Sequence, residues 1–158
     1  MRLLVSVVDE REARDAAAAG ADVIDVKNPG EGALGAPPPA VIERVRAAVP
    51  ARLPVSAAIG DMPNLPGTAA LAALGAARSG ATFVKVGLWG TATEPEAVAL
   101  LRTVRDAVAS VPGAVLVAGA YADARRVAGK RSTLTMVCSL PKDPDRRPRP
   151  RWSDRRCR

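Results

Sequence analysis

Five short runs of largely apolar residues, at 3–8, 22–26, 54–59, 83–88 and 114–119, alternate with four alanine-rich stretches at 10–19, 39–49, 68–79 and 95–110. The runs have the length of buried strands. The stretches between them repeat apolar residues at helical spacing, as in Val41, Val45 and Ala48, or Val98, Leu101, Val104 and Val108. Helix starts are marked as well. Asp9 with Glu12 and Thr93 with Glu96 have capping-box spacing, and Pro39 and Pro95 fall in first turns, where a missing N–H costs little. Such alternation implies parallel strands joined by right-handed crossovers, in either a doubly wound sheet or part of a (β/α)8 barrel.

An internal repeat favours the barrel. Gly20-Ala21-Asp22-Val23-Ile24-Asp25-Val26-Lys27 aligns with Gly80-Ala81-Thr82-Phe83-Val84-Lys85-Val86-Gly87, an offset of 60 residues. That offset equals two βα units of about 30 residues each. The first strand leads into Val8-Asp9-Glu10-Arg11 rather than into the glycine-rich turn of a dinucleotide-binding fold. The expected class is therefore α/β, of the TIM (β/α)8-barrel type, carried through about five βα units.

Buried parallel strands normally read as unbroken apolar runs. The second and fourth break that rule. Asp25 and Lys27 lie two apart and share one face of a strand, and Lys85 interrupts Phe83-Val84-Lys85-Val86-Gly87 at the position equivalent to Asp25. Charged groups at strand ends on the C-terminal mouth of a barrel carry chemistry, and a buried lysine without a purpose is costly. The plain alternative is a structural ion pair, Asp25 with Lys27 or Asp25 with Lys85.

Two amines and a carboxylate suit imine chemistry on a carbonyl compound. A free lysine, with a pKa of about 10.4, is protonated at neutral pH and cannot attack a carbonyl; burial or a neighbouring cation can lower that value. One lysine would attack and the other would move protons on the imine's carbon skeleton. The residues alone leave open which does which. Ser56 within the third strand, Asp61 in the loop after it, and Tyr121 and Asp123 after the fifth are candidate substrate-binding groups, with a simple capping role the plain alternative for Ser56 and Asp61. The loops 28–32 and 60–64, rich in glycine and proline, read as turns lining it.

Composition narrows the function classes. Aromatic residues are 3% of the chain, too few for a base-stacking surface, so nucleic-acid binding is not expected of the domain. The net charge of +7 is unevenly distributed: residues 1–124 carry a net −2 and residues 125–158 a net +9. The N-terminus is charged too soon for a signal peptide, no apolar run reaches membrane-spanning length, and there are two cysteines. The expected location is cytoplasmic, with no membrane partner, and an oligomer is left open.

Several segments together resemble one family. Asp22-Val23-Ile24-Asp25-Val26-Lys27-Asn28-Pro29, Val55-Ser56-Ala57-Ala58-Ile59-Gly60-Asp61, Pro66-Gly67-Thr68, Phe83-Val84-Lys85-Val86-Gly87-Leu88 and Ala120-Tyr121-Ala122-Asp123-Ala124 are similar to the (5-formylfuran-3-yl)methyl phosphate synthases of methanofuran biosynthesis. The similarity covers about residues 2–127. It implies a TIM-barrel lyase that condenses two molecules of glyceraldehyde 3-phosphate with loss of phosphate and water. It also implies that Lys27 forms the Schiff base, that Lys85 is the proton acceptor, that Asp25 is an active-site acid, and that no metal or organic cofactor takes part. Another Schiff-base aldolase acting on a phosphosugar is the nearest alternative.

After about residue 127 the resemblance stops. Residues 128–158 are rich in arginine and proline and contain both cysteines, and only 133–140 has a strand-like period. The expectation is a largely disordered tail. It reads either as an arm for anions or nucleic acid or as a frameshifted extension of a GC-rich gene. Five strands do not close an eight-stranded barrel, so the edges of strands one and five are expected to be exposed and the chain alone to be poorly active.

Overall fold

The computed structural model describes residues 2–121 and 134–139. Strand β1 (Leu4–Val7) is followed by α1 (Glu10–Ala18), β2 (Val23–Val26), α2 (Pro39–Ala48), β3 (Val55–Pro63), α3 (Pro66–Arg78), β4 (Phe83–Gly90), α4 (Glu94–Ala109), β5 (Val115–Tyr121) and β6 (Leu134–Ser139). The sheet order is β1-β2-β3-β4-β5-β6, with the first five strands mutually parallel. A doubly wound sheet reverses its strand order at a switch point and carries helices on both faces. Here the order never reverses. Val7, Ile24, Val26 and Val55 pack with Ala13, Ala16 and Val45, while Ala57, Val84, Val86 and Leu116 pack with Ala73, Leu100 and Val104. All four helices therefore cover one face of the sheet, which is the barrel arrangement.

The caps form largely where the spacing places them. Thr93 and Glu96 make a full capping box, Glu96 N donating to Thr93 Oγ1 at 3.4 Å and Thr93 N to Glu96 Oε2 at 3.1 Å. Asp9 caps α1 by accepting from Arg11 N at 2.9 Å and Glu12 N at 2.8 Å, while Glu12 reaches one residue further back, accepting from Val8 N at 2.9 Å. The C-terminus of α2 is closed by a side chain. Arg46 donates to the carbonyls of Leu53 at 2.7 Å, Val49 at 3.1 Å and Pro50 at 2.6 Å, and burial pulls its pKa below the usual guanidinium value. Gly80 leaves room for that stem, since a Cβ there would lie 2.7 Å from Arg46 Cγ.

Three elements differ from the sequence expectation. Residues 60–64, expected as a turn, continue β3 as far as Pro63, and β4 runs on to Gly90, where Pro63 and Gly90 pair. The outer edge of β5, expected to be bare, is covered: β6 pairs with it antiparallel, from Val117↔Ser139 to Tyr121↔Leu134. The strand-like period at 133–140 thus supplies hydrogen-bonding groups to an edge that would otherwise lack them. The rest of the expected disordered tail, and Asp123, lie outside the described residues.

Candidate active site

Because side chains alternate across a strand, the residues between the helix-facing ones line the opposite face of the sheet. Register aligns Ser6, Asp25 and Ser56 in one row across β1, β2 and β3, and Ala58, Lys85 and Val117 in the next row toward the C-terminal end. Lys27 lies just beyond the end of β2 on the same alternation as Asp25. The charges that interrupt the apolar runs thus share one face.

Lys85 Nζ donates to Asp25 Oδ2 at 2.6 Å, and the two side chains are 8% and 2% exposed. Ser6 Oγ donates to the same oxygen at 3.1 Å. The pair crosses β3, and what β3 presents beneath the lysine is small: Ser56 opposite Asp25 and Ala58 opposite Lys85, both buried. A bulky residue at either position would block the crossing. Removing two charges from water is expensive, so a buried pair this close needs a reason beyond stability.

Lys27 is placed differently. Its backbone N–H donates to Val7 O at 3.1 Å, anchoring it to β1, and its side chain is partly exposed with no ion pair among the described residues. The loop after it is tightly closed. Asn28 N donates to Gly35 O at 2.9 Å, and the Asn28 side chain accepts from Gly30 N at 3.1 Å and donates to Glu31 at 3.2 Å. Gly35 packs so closely on Asn28 O that no Cβ fits there. The site therefore holds one amine committed to a carboxylate and one uncommitted amine at its rim.

A register irregularity in β3 brings in Asp61. Strict alternation from Ser56 and Ala58 would put Gly60 on this face. The register shifts between Ala58 and Asp61 pair Asp61 with Gly87 instead, with Gly60 at φ 98°. An extra residue of this kind re-aims side chains next to many active sites. The Asp61 carboxylate lies against the Gly87 backbone, where no Cβ fits. Gly60 inside an otherwise strand-like run is the sequence signal for this bulge, although Gly60-Asp61 reads equally well as a turn. Ser56 is wholly buried, so its hydroxyl does not face solvent. Tyr121 is the last residue of β5.

At the opposite end of the strands, a cavity of about 460 Å³ is lined by Arg2, Asp22, Arg52, Leu53 and Pro54, among others. These residues precede or begin strands, away from Lys27, at the barrel end associated with stability rather than chemistry. Among the described residues no group of three His, Cys, Asp or Glu side chains is arranged to hold a metal ion, and no helix is long and apolar enough to cross a membrane.

Comparison with known proteins gives this geometry a context. Residues 3–140 match the sequence model of a family described as 4-HFC-P synthase, so the family likeness runs past residue 127, where it was expected to stop. The (5-formylfuran-3-yl)methyl phosphate synthase of Methanothermobacter thermautotrophicus is 51% identical over 127 residues, covering 80% of this chain and 54% of that protein. The enzyme of the same name from Methanococcus maripaludis is 55% identical over 130 residues, covering 82% of this chain and 55% of that one. The chain thus spans about half the length of these relatives. Among solved structures, 2,3-dimethylmalate lyase, a PEP mutase/isocitrate lyase superfamily member, superposes with a TM-score of 0.60 at 21% identity, over 81% of this chain and 50% of that one. At that identity the likeness concerns the fold alone.

Proposed function

This chain belongs to the 4-HFC-P synthase family, and on that premise we propose that Lys27 forms a Schiff base with the aldehyde carbon of glyceraldehyde 3-phosphate. Lys85 then removes the proton from the carbon next to the imine. The enamine so formed attacks a second molecule, and elimination of phosphate and water leaves the furan aldehyde phosphate. Asp25 holds Lys85 in place and balances its charge. Asp61, Tyr121 and Asp123 are proposed to contact the substrate at the mouth, which suits the place of Asp61 near the end of β3 and of Tyr121 as the final residue of β5. The family's name supports a synthase of methanofuran biosynthesis, and the chemistry needs no metal or organic cofactor. A cytoplasmic location fits a small phosphorylated aldehyde as substrate.

The observation that carries this proposal is the contrast between the two amines: Lys85 is buried and 2.6 Å from a carboxylate, while Lys27 sits at the rim without an ion partner among the described residues. An attacking amine needs access to substrate and a free lone pair, whereas a proton acceptor needs a fixed position. Borohydride added to the chain with glyceraldehyde 3-phosphate tests it. A reduced adduct mapped to Lys27, and absent from Lys27→Ala, is expected. An adduct formed only with other aldehydes would point to a different Schiff-base aldolase, and no adduct at Lys27 with any of them would remove the proposal.

A further inference from the structure

Two buried side-chain atoms on the site face have no hydrogen-bond partner among the described residues: Asp25 Oδ1 and Ser56 Oγ. They belong to residues paired in register across β2 and β3, and both residues are 1% exposed. An unsatisfied buried polar group costs about 1–3 kcal/mol. Ser56 sits in Val55-Ser56-Ala57-Ala58, where alanine would fill the same space without that cost. The hydroxyl can turn about one bond between staggered positions, donating in any of them. Asp25 is far less free, because Lys85 and Ser6 hold its other oxygen.

The proposed proton transfer explains why a spare donor belongs here. Lys85 accepts a proton only as a neutral amine. Once its ammonium proton has left, Asp25 loses the cation that balances it. The other charged groups placed on this face by β2 and β3 are Lys27 at the rim and Asp61, while Ser6 from β1 and Val117 from β5 carry no charge. A buried carboxylate facing neutral neighbours needs hydrogen-bond donors to stay ionised. Ser6 supplies one to Oδ2. We infer that Ser56 is a positioning residue: its hydroxyl turns onto Asp25 Oδ1 and keeps the carboxylate charged while Lys85 is the neutral, proton-accepting amine.

The proton balance is simple. The ammonium proton passes from Lys85 to solvent or to a departing hydroxyl, Asp25 gains none, and Ser56 rotates without ionising. Lys85 then takes the proton from the carbon beside the imine, the observed ion pair re-forms and the serine is released.

The inference rests on the role proposed for Lys85, but it is tested on the full chain without substrate. The chain has four lysines, Lys27, Lys85, Lys130 and Lys142, so 15N-lysine labelling gives four Nζ resonances, assignable by substitution. Their pH profiles are followed in the native chain, Ser56→Ala and Ser56→Thr. In Ser56→Ala the Lys85 profile is displaced to higher pH by about half a unit or more, a threefold or larger change in the equilibrium. Its thermal midpoint holds or rises, since the lost hydroxyl had no partner, and Ser56→Thr restores the profile. Superimposable profiles would overturn the inference. So would a displacement shared by both variants together with a fall in thermal midpoint, the signature of packing alone. Failure of the Schiff-base proposal registers separately, in the borohydride experiment at Lys27.

Discussion

Asp25 and Lys85 are 60 residues apart, occupy equivalent positions of an internal repeat, and meet at 2.6 Å across an intervening strand. The contact exists because β3 presents Ser56 and Ala58 beneath the lysine. Sequence repetition, small residues on one strand and a charge on each flanking strand together make the site.

Replacing one member of this pair leaves the other charge buried and alone. Asp25→Asn is expected to lower unfolding free energy by about 3–5 kcal/mol, measured by urea denaturation. Asp25→Asn combined with Lys85→Met removes both charges and recovers most of that loss. Equal losses in the single and double variants would mean that the pair is not the cause.

Ala58 tests the crossing itself. Ala58→Leu places three extra heavy atoms where the Lys85 stem passes, an overpacking cost of about 1–3 kcal/mol. Turnover should fall more steeply than stability, because Lys85 is pushed from Asp25, whereas Ala58→Gly should keep the pair. Measuring both urea stability and initial rate distinguishes displacement of the lysine from general damage.

The charges were legible in the sequence because a buried parallel strand has little tolerance for them, so Asp25, Lys27 and Lys85 stood out. Their division was not. Asp25 lies next to Lys27 on its own strand, and only the sheet order together with the small residues of β3 shows that its partner is Lys85. The helices and the first five strands were readable from period and caps. The continuation of β3 through Pro63 was hidden because a bulge uses the same glycine and proline as a turn. The pairing of β6 was hidden because a strand-like period carries no information about which edge it joins.

The bulge leads to a further expectation. A Cβ at Gly87 collides with the Asp61 carboxylate. Gly87→Ala should therefore cost about 1–3 kcal/mol in urea denaturation, and adding Asp61→Ala should recover about half or more of it. No recovery in the double variant would place the strain in the β4 backbone instead.

The described sheet leaves the outer edge of β1 without a strand partner, and Leu4 and Val8 are 49% and 43% exposed. Displacement of active-site groups by about 1 Å can cost on the order of a hundredfold in rate. The 158-residue chain alone is accordingly expected to turn over glyceraldehyde 3-phosphate far more slowly than a full-length relative. Co-expression with the C-terminal half of the Methanothermobacter thermautotrophicus relative should raise the rate. An unchanged rate, with the two pieces shown to associate, would mean that the open edge does not limit activity.

The division of labour between Lys27 and Lys85 is tested most directly by the mass of the borohydride-trapped Lys27 peptide formed from glyceraldehyde 3-phosphate in deuterated water. The native chain should give an adduct at Lys27 that gains deuterium on the carbon next to the reduced imine. Lys85→Met should give the same adduct without it. An adduct on Lys85, or equal deuterium in both proteins, would contradict the assignment of the imine to Lys27 and the proton to Lys85.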